Sequence, residues 1–239
     1  MSPTEALSDL ATRFELSATA ARQLGAILDL VERDPEAPTS ITARRSALDV
    51  HAADSLVALE IPEVRAAAVL ADLGSGAGFP GLALAVALPH ASVSLVESSR
   101  RKCAFLTRAV TEASLASVNV VCARVEEWGD GREACDVVTA RALGPLAVVA
   151  EYAAPLLRVG GSLVAWKGRR DAEEERAAAA AAGALGLEPA RVVPVRPYAE
   201  SRDRHLHILR KAAPTPARFP RRAGMARKRP LRARSEDLT

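Results

Sequence analysis

The sequence predicts an α/β chain: an open, Rossmann-like, mostly parallel sheet of seven strands, helices on both faces, and a small N-terminal helical extension. Three observations carry this. From residue 69 onward, short apolar runs alternate with helical patterns, the mark of a doubly wound sheet. The first run, Val69 to Leu73, opens directly into Gly74-Ser-Gly-Ala-Gly-Phe-Pro-Gly81, a strand, glycine loop and helix start. With 49% hydrophobic residues, the chain can fill a sizeable core.

The loop is a nucleotide cradle, because glycines bare the backbone N–H groups to a ligand at a helix start. Gly76-x-Gly78-x-x-Gly81 matches the dinucleotide fingerprint, a weak signal alone. Asp72 is more telling. A carboxylate at the mouth of the loop repels a pyrophosphate and attracts a cationic amino-acid group, such as that of S-adenosyl-L-methionine. The next run, Ser92-Val-Ser-Leu-Val-Glu97, ends in an acid 23 residues after Gly74, near the spacing of a ribose-binding carboxylate. A nicotinamide cofactor needs the second acid but not the first. A purely structural glycine turn explains neither.

Taken in order, residues 17–33 read as a helix capped by Ser17, with Leu24, Ile27, Leu28 and Val31 at helical spacing. Asp34-Pro35 ends it. A second helix is expected over 47–59, with Ser46 and Asp49 as a capping box. It places His51, Asp54 and Ser55 on one face, as a functional surface or as a hydrogen-bonded helix seam. Strand one covers 69–73 and its helix 79–88, with Pro80 at the helix start. Strand two covers 92–97. The helix over 99–114 carries Arg100, Arg101, Lys102 and Arg108, which suit RNA or a solvated face equally. Strand three, 117–122, leads to Arg124-Val-Glu-Glu-Trp128; in many methyl-donor folds this turn holds the adenine. Trp128 reads as core. Strand four, 135–140, delivers Arg141 to the carboxyl edge of the sheet, the ligand crevice of such folds; a structural salt bridge is the other reading. A helix over 145–157 and a turn at Gly160-Gly161 precede strand five, 162–168, whose Lys167 is a second cation at that edge. The alanine-rich 171–186 reads as a plain surface helix. Residues 191–198 and 205–211 form the final strand pair.

Charge divides the chain. Residues 211–239 hold nine Lys/Arg and two acids, net +7, which leaves −4 for the remainder. A tail this polar is not expected to fold alone; its cations suit phosphates and Phe219 could stack on a base, although a solubilising tail would have the same composition. Three domains follow: an extension over 1–66, the sheet domain over 67–211, and a basic flexible tail over 212–239. No apolar run approaches the roughly 18 residues of a membrane span, and the N-terminus has no basic-then-apolar leader. Cys103, Cys122 and Cys135 form no CxxC pair, so reduced, buried thiols in the cytoplasm and no metal site are expected.

The segment Asp72-Leu-Gly-Ser-Gly-Ala-Gly-Phe-Pro-Gly81 resembles the methyl-donor loop of the ribosomal RNA small-subunit methyltransferase G family, also known as glucose-inhibited division protein B. Further matches follow in the family's order from about Ser40 to the C-terminus. His51-Ala-Ala-Asp-Ser55 is similar to its HxxDS element, with Val50 where the family has an arginine or similar residue. Arg124-Val-Glu-Glu matches closely. Ala140-Arg141-Ala142 stands for Ser-Arg-Ala, and Lys167-Gly168 for Lys-Gly. Asp203-Arg204-His205-Leu206 stands for Glu-Arg-His-Leu. The resemblance implies a class I S-adenosylmethionine-dependent methyltransferase fold. It implies donor contacts from Asp72, Gly74, Gly76, Gly78, Phe79, Glu97, Val125, Glu126 and Arg141, and catalytic positioning by Arg141 and Lys167. It further implies substrate contacts from His51, Asp54, Arg124, Arg204 and His205, and the tail that carries Phe219 resembles the longer tails of many members.

Chemistry narrows the acceptor only permissively. Asp136 to Pro145 holds no Asn/Asp-Pro-Pro-aromatic loop for an exocyclic amine, and no cysteine is placed to attack a pyrimidine ring. An acceptor with its own lone pair, such as guanine N7, needs neither. The family resemblance selects it: N7 methylation of one guanine in 16S rRNA, on the small subunit or an assembly intermediate. A cytoplasmic monomer is expected, with neither DNA nor membrane as partner. A methyltransferase for a small metabolite, or a non-enzymatic RNA-binding protein with a relic donor site, are the alternatives from other classes.

Overall fold

The computed structural model describes residues 2–231 of the 239-residue chain. Two amphipathic helices open it. α1 (Pro3–Arg13) starts with a capping box, in which Ser2 and Glu5 satisfy each other's backbone N–H groups. α2 (Ala18–Arg33) is capped by Ser17 and buries Leu24, Ile27, Leu28 and Val31. The next stretch is not the single helix expected over 47–59. It is a relay of short turns: α3 (Arg44–Ala47), a π-helical turn (Leu48–Ala53), α4 (Asp54–Leu56) and a 3-10 turn (Val57–Glu60), followed by α5 (Pro62–Arg65). Ser46 and Asp49 form no capping box, because the relay begins at Ala43 and Ser46 lies inside α3.

The sheet has the order β3-β2-β1-β4-β5-β7-β6. β1 (Val69–Leu73), β2 (Ser92–Glu97), β3 (Val118–Cys122), β4 (Cys135–Arg141) and β5 (Leu157–Lys167) are parallel. β7 (Arg204–Arg210) runs antiparallel between β5 and β6 (Arg191–Val195). The switch in strand order therefore falls between β1 and β4, where open α/β sheets bind ligands.

Both faces are covered, as parallel strands require, and period-two alternation divides each strand between them. Leu70, Val137 and Val164 face α2, the 44–60 relay, α6 (Gly81–Ala87) and α7 (Arg100–Glu112). Ala71, Val138 and Leu163 face α8 (Leu146–Ala153) and α9 (Ala172–Leu185). α9 is thus no plain surface helix: Ala178, Ala181, Ala182 and Leu185 form a buried stripe against α8. α8 ends at Ala153, well short of 157. Gly160 and Gly161 turn nothing; both lie inside β5, where the register shifts against Cys135 and Val137. A side chain at Gly161 would strike the Asp136 and Cys135 carbonyls at 2.8 Å.

Two further expectations are corrected. Cys103 and Cys122 are joined in a disulfide, and only Cys135 is free and buried. The bond arises because α7 returns beside β3, which brings their Cα atoms to 5.8 Å. The basic tail does not stand away from the body. Through Leu231 it packs on α8 and includes α10 (Met225–Lys228). Phe219 is 5% exposed, so its ring is covered by core and is not presented to a base. The remainder of the predicted tail lies outside the described residues. Among the described residues, no helix is long and apolar enough to cross a membrane.

Candidate active site

The site is built on the β1–α6 turn. Gly74 and Gly78 have φ of +66° and +94°, backbone that L side chains resist. The turn is closed by Gly74 N–H on the Val96 carbonyl (2.8 Å) and Gly78 N–H on that of Ser75 (2.7 Å). α6 then starts at Gly81 because a methyl group there would lie 2.4 Å from Leu95 Cδ2 and 2.8 Å from Asp72 Cβ. Glycine is what lets the helix approach β1 and β2.

Asp72 is not at the mouth of this loop. It is 1% exposed and lies behind the turn, where the Thr139 hydroxyl donates to Oδ1 (2.8 Å) and Gly81 N–H to Oδ2 (3.3 Å). Burial raises its pKa to about 6, partly offset by these hydrogen bonds. It braces the loop from beneath and lines none of the hollows described below.

Glu97 does line the hollow. Its Oε2 accepts from Gly76 N–H (3.1 Å) and its Oε1 from Ser99 N–H (2.9 Å), with Lys102 Nζ 3.9 Å away. The hollow of about 310 Å³ beside it is bounded by Gly74, Arg124, Val125, Glu126 and Leu143. Val125 and Glu126 stand on a 3-10 turn just after β3. A second hollow of about 240 Å³ shares Gly74, Lys102 and Ala142 with the first and adds Gly76, Phe79, His51 and Arg141. The His51 ring stacks on Phe79 (4.9 Å, 9°), and its Nε2 donates to the Ile41 carbonyl and contacts Thr39 Oγ1, both at 3.1 Å. Burial, helped by the Arg141 charge, lowers its pKa to about 4, so the imidazole is neutral at physiological pH.

A third hollow of about 280 Å³ continues from Arg141 to Asp54, Trp166, Lys167, Arg204 and His205. Arg141 Nη1 donates to Asp54 Oδ2 (2.8 Å) and the Val50 carbonyl (2.9 Å). Trp166 Nε1 donates to the Asp54 carbonyl (2.6 Å). Arg204 Nε lies 3.9 Å from Asp54 Oδ1, and those two buried atoms have no hydrogen-bond partner. The two atoms face each other as a buried ion pair within the wall of this hollow. His205 Nδ1 donates to the Gly168 carbonyl (2.9 Å). Lys167 Nζ is held by the Gly144 carbonyl (2.9 Å) and Glu174.

The structure thus gathers Gly74, Gly76, Phe79, Glu97, Arg124, Val125, Glu126 and Arg141 around the first two hollows. His51, Asp54, Lys167, Arg204 and His205 border the second and third. Gly78 shapes the loop without lining a hollow, and Phe219 stands apart in the core. Reading the sequence misses Thr39, Lys102 as a lining residue, Tyr152, Trp166, Gly224 and Arg227. Ala142, which borders all three hollows, has φ of +55°. Such strain at a sheet edge is characteristic of functional loops, but nothing in the sequence signals it.

The profile of the family described as rRNA small subunit methyltransferase G matches residues 37–206. A ribosomal RNA small subunit methyltransferase G from Rubrobacter xylanophilus is 45% identical over 190 residues, covering 76% of this chain and 72% of the relative. One from Chloroflexus aggregans is 44% identical over 196 residues, covering 81% and 82%. Among solved structures, a predicted O-methyltransferase from Agrobacterium tumefaciens superposes with a TM-score of 0.53 at 27% identity, over 67% of this chain and 81% of that one. An S-adenosylmethionine-dependent O-methyltransferase from Thermotoga maritima reaches 0.56 at 15% identity, over 75% and 73%, a likeness of fold alone. Taken with the glycine turn, Glu97 and the Arg141 cleft, these matches show that the chain belongs to the ribosomal RNA small subunit methyltransferase G family.

Proposed function

We propose that this chain transfers the methyl group of S-adenosyl-L-methionine to N7 of a guanine in 16S rRNA, acting in the cytoplasm on the small subunit or an assembly intermediate. The observation that carries the proposal is the continuity of the three hollows through Gly74, Arg141 and Ala142. A donor compartment and an acceptor compartment adjoin at the carboxyl edge of the sheet.

The donor compartment fits the ligand. A Cβ at Gly74 would lie 2.6 Å from Leu143 Cδ1, so the glycine lets the two loops that wall the hollow approach closely. When bound, S-adenosylmethionine supplies an electrophilic methyl group on a sulfonium. Glu97, held by two backbone N–H groups, is fixed to accept from ribose hydroxyls. Val125 offers an apolar face to the adenine and Glu126 an acceptor for its exocyclic amine. Asp72 and Thr139 hold the loop from behind.

In the acceptor compartment, the Asp54 carboxylate pairs with Arg141 and Arg204 and so fixes both cations beside the space for a guanine. Arg204 and Arg141 suit its carbonyl or a neighbouring phosphate. Neutral His51 can abut the base without adding charge. Guanine N7 carries its own lone pair, so no side chain has to remove a proton before attack. The work of Arg141, Asp54 and Lys167 is alignment, the main requirement of an in-line transfer. The test is incubation of the purified chain with labelled S-adenosylmethionine and small-subunit RNA or particles. Label at a single guanine N7 supports the reading, and absence of N7 label on every such substrate removes it.

A further inference from the structure

The C-terminal segment lies beyond the family match at 37–206, yet it closes one side of the donor hollow. Two anchors seat it. Phe219 is buried against the α8–α9 side of the core. Arg221 Nε donates to Oε1 of Glu151 in α8 at 2.7 Å, and that carboxylate is 1% exposed. From these anchors the chain crosses the hollow. Gly224 N–H donates to Glu126 Oε1 (2.7 Å), and Arg227 Nη2 donates to the Leu143 carbonyl (2.8 Å). Glu126 belongs to the turn after β3 and Leu143 to the turn after β4, so the segment ties together two opposite rims. Gly224 and Arg227 themselves line the hollow.

We propose that Arg227 is a donor-binding residue, that Gly224 positions one, and that the segment 219–229 is the outer wall of the site for the adenosine end of an S-adenosyl ligand. The inference rests on the function proposed above. Gly224 acts as a positioning residue. It takes one oxygen of Glu126 and thereby fixes the carboxylate, which keeps further acceptor capacity for an exocyclic amine. Gly224 can do this because its φ is +78° and the space around its Cα is open. Arg227 holds the Leu143 turn, which also packs over Gly74, and itself lines the hollow.

The experiment is calorimetric titration of the full chain and of its R227A and Glu151→Gln variants with S-adenosylhomocysteine. It is paired with limited trypsin cleavage of the unaltered chain with and without that ligand. R227A is expected to weaken binding about tenfold, as loss of a charge-assisted hydrogen bond does; Glu151→Gln, which loosens the Arg221 anchor, is expected to weaken it less. Because linkage is reciprocal, ligand is expected to slow cleavage between Arg218 and Arg229, a readout that needs no variant to fold. Wild-type affinity in both variants together with unchanged cleavage overturns the inference and leaves the proposed function standing. No binding by the unaltered chain overturns both.

Discussion

Gly81→Ala should be the most damaging single methyl group in the glycine turn. The added carbon would sit 2.4 Å from Leu95 Cδ2, 2.8 Å from Asp72 Cβ and 2.9 Å from Asp72 Oδ2. Leu95 is fully buried on β2 and Asp72 is 1% exposed on β1, so neither can swing into solvent. The helix must retreat from two central strands by about 1 Å to restore contact distances. Overpacking of this kind costs about 1–3 kcal/mol. The retreat also stretches the hydrogen bond from Gly81 N–H to Asp72, which is already 3.3 Å long, at about 1 kcal/mol. Better helix propensity offsets up to about 1 kcal/mol. A net loss of about 1–3 kcal/mol lowers the melting temperature of a chain this size by about 2–12 °C. Thermal unfolding followed by circular dichroism measures it. Gly183→Ala is the control, because a Cβ there meets nothing within 4 Å on α9, and it should raise stability by about 0.5–1 kcal/mol. If Gly81→Ala melts within about 1 °C of the parent, the close approach of α6 to β1 and β2 is wrong.

Arg141→Ala should lower stability by about 2–4 kcal/mol in urea titration, because it strips the main partner from a carboxylate whose side chain is 8% exposed. Asp54→Asn in that background should recover part of the loss; no recovery would mean the ion pair is not its source. The pH dependence contains two opposed contributions. His51, lowered from 6.5 to about 4, contributes stability that is complete above about pH 6.5 and lost as pH falls toward 4. His51→Gln should therefore flatten the acid limb of unfolding free energy against pH, by at most about 3 kcal/mol between those limits; an unchanged limb contradicts the buried neutral ring. Asp72, raised from 3.8 to about 6, contributes stability present below about pH 3.8 and lost as pH rises through 6. Asp72→Asn should accordingly remove an opposing slope over that window, and a steeper loss of stability toward neutral pH in the variant would contradict the assignment.

The parts legible in the sequence are those fixed by neighbouring residues. β1 and β2 are bounded as expected because each is a short apolar run cut by glycine, proline or an acid, and the turn after β1 carries its own glycines. Glu97, Val125 and Glu126 reach the hollow because strand ends in a parallel sheet share one edge. What escapes is set by partners distant in sequence. The helix expected over 47–59 breaks where Arg141, 91 residues on, takes the Val50 carbonyl, and Trp166 takes that of Asp54, 112 residues away. Asp72 points behind the loop because the pleat directs it toward Gly81 and Thr139, a choice between two faces that one acid does not reveal. The tail is cationic in composition, so it reads as solvated. Its docking depends on one aromatic and on a buried glutamate 70 residues upstream, and neither is marked by any local pattern. The Cys103–Cys122 bond escapes for the same reason: it depends on how α7 returns along β3.

Calorimetric titration with S-adenosylmethionine tests most directly whether Glu97 and the glycine turn hold an S-adenosyl ligand. The unaltered chain should bind one equivalent, and Glu97→Ala, which removes a carboxylate acceptor from a site 6% exposed, should bind about 10–100-fold more weakly. Equal affinity in the two proteins, or no heat of binding in either, would contradict that reading.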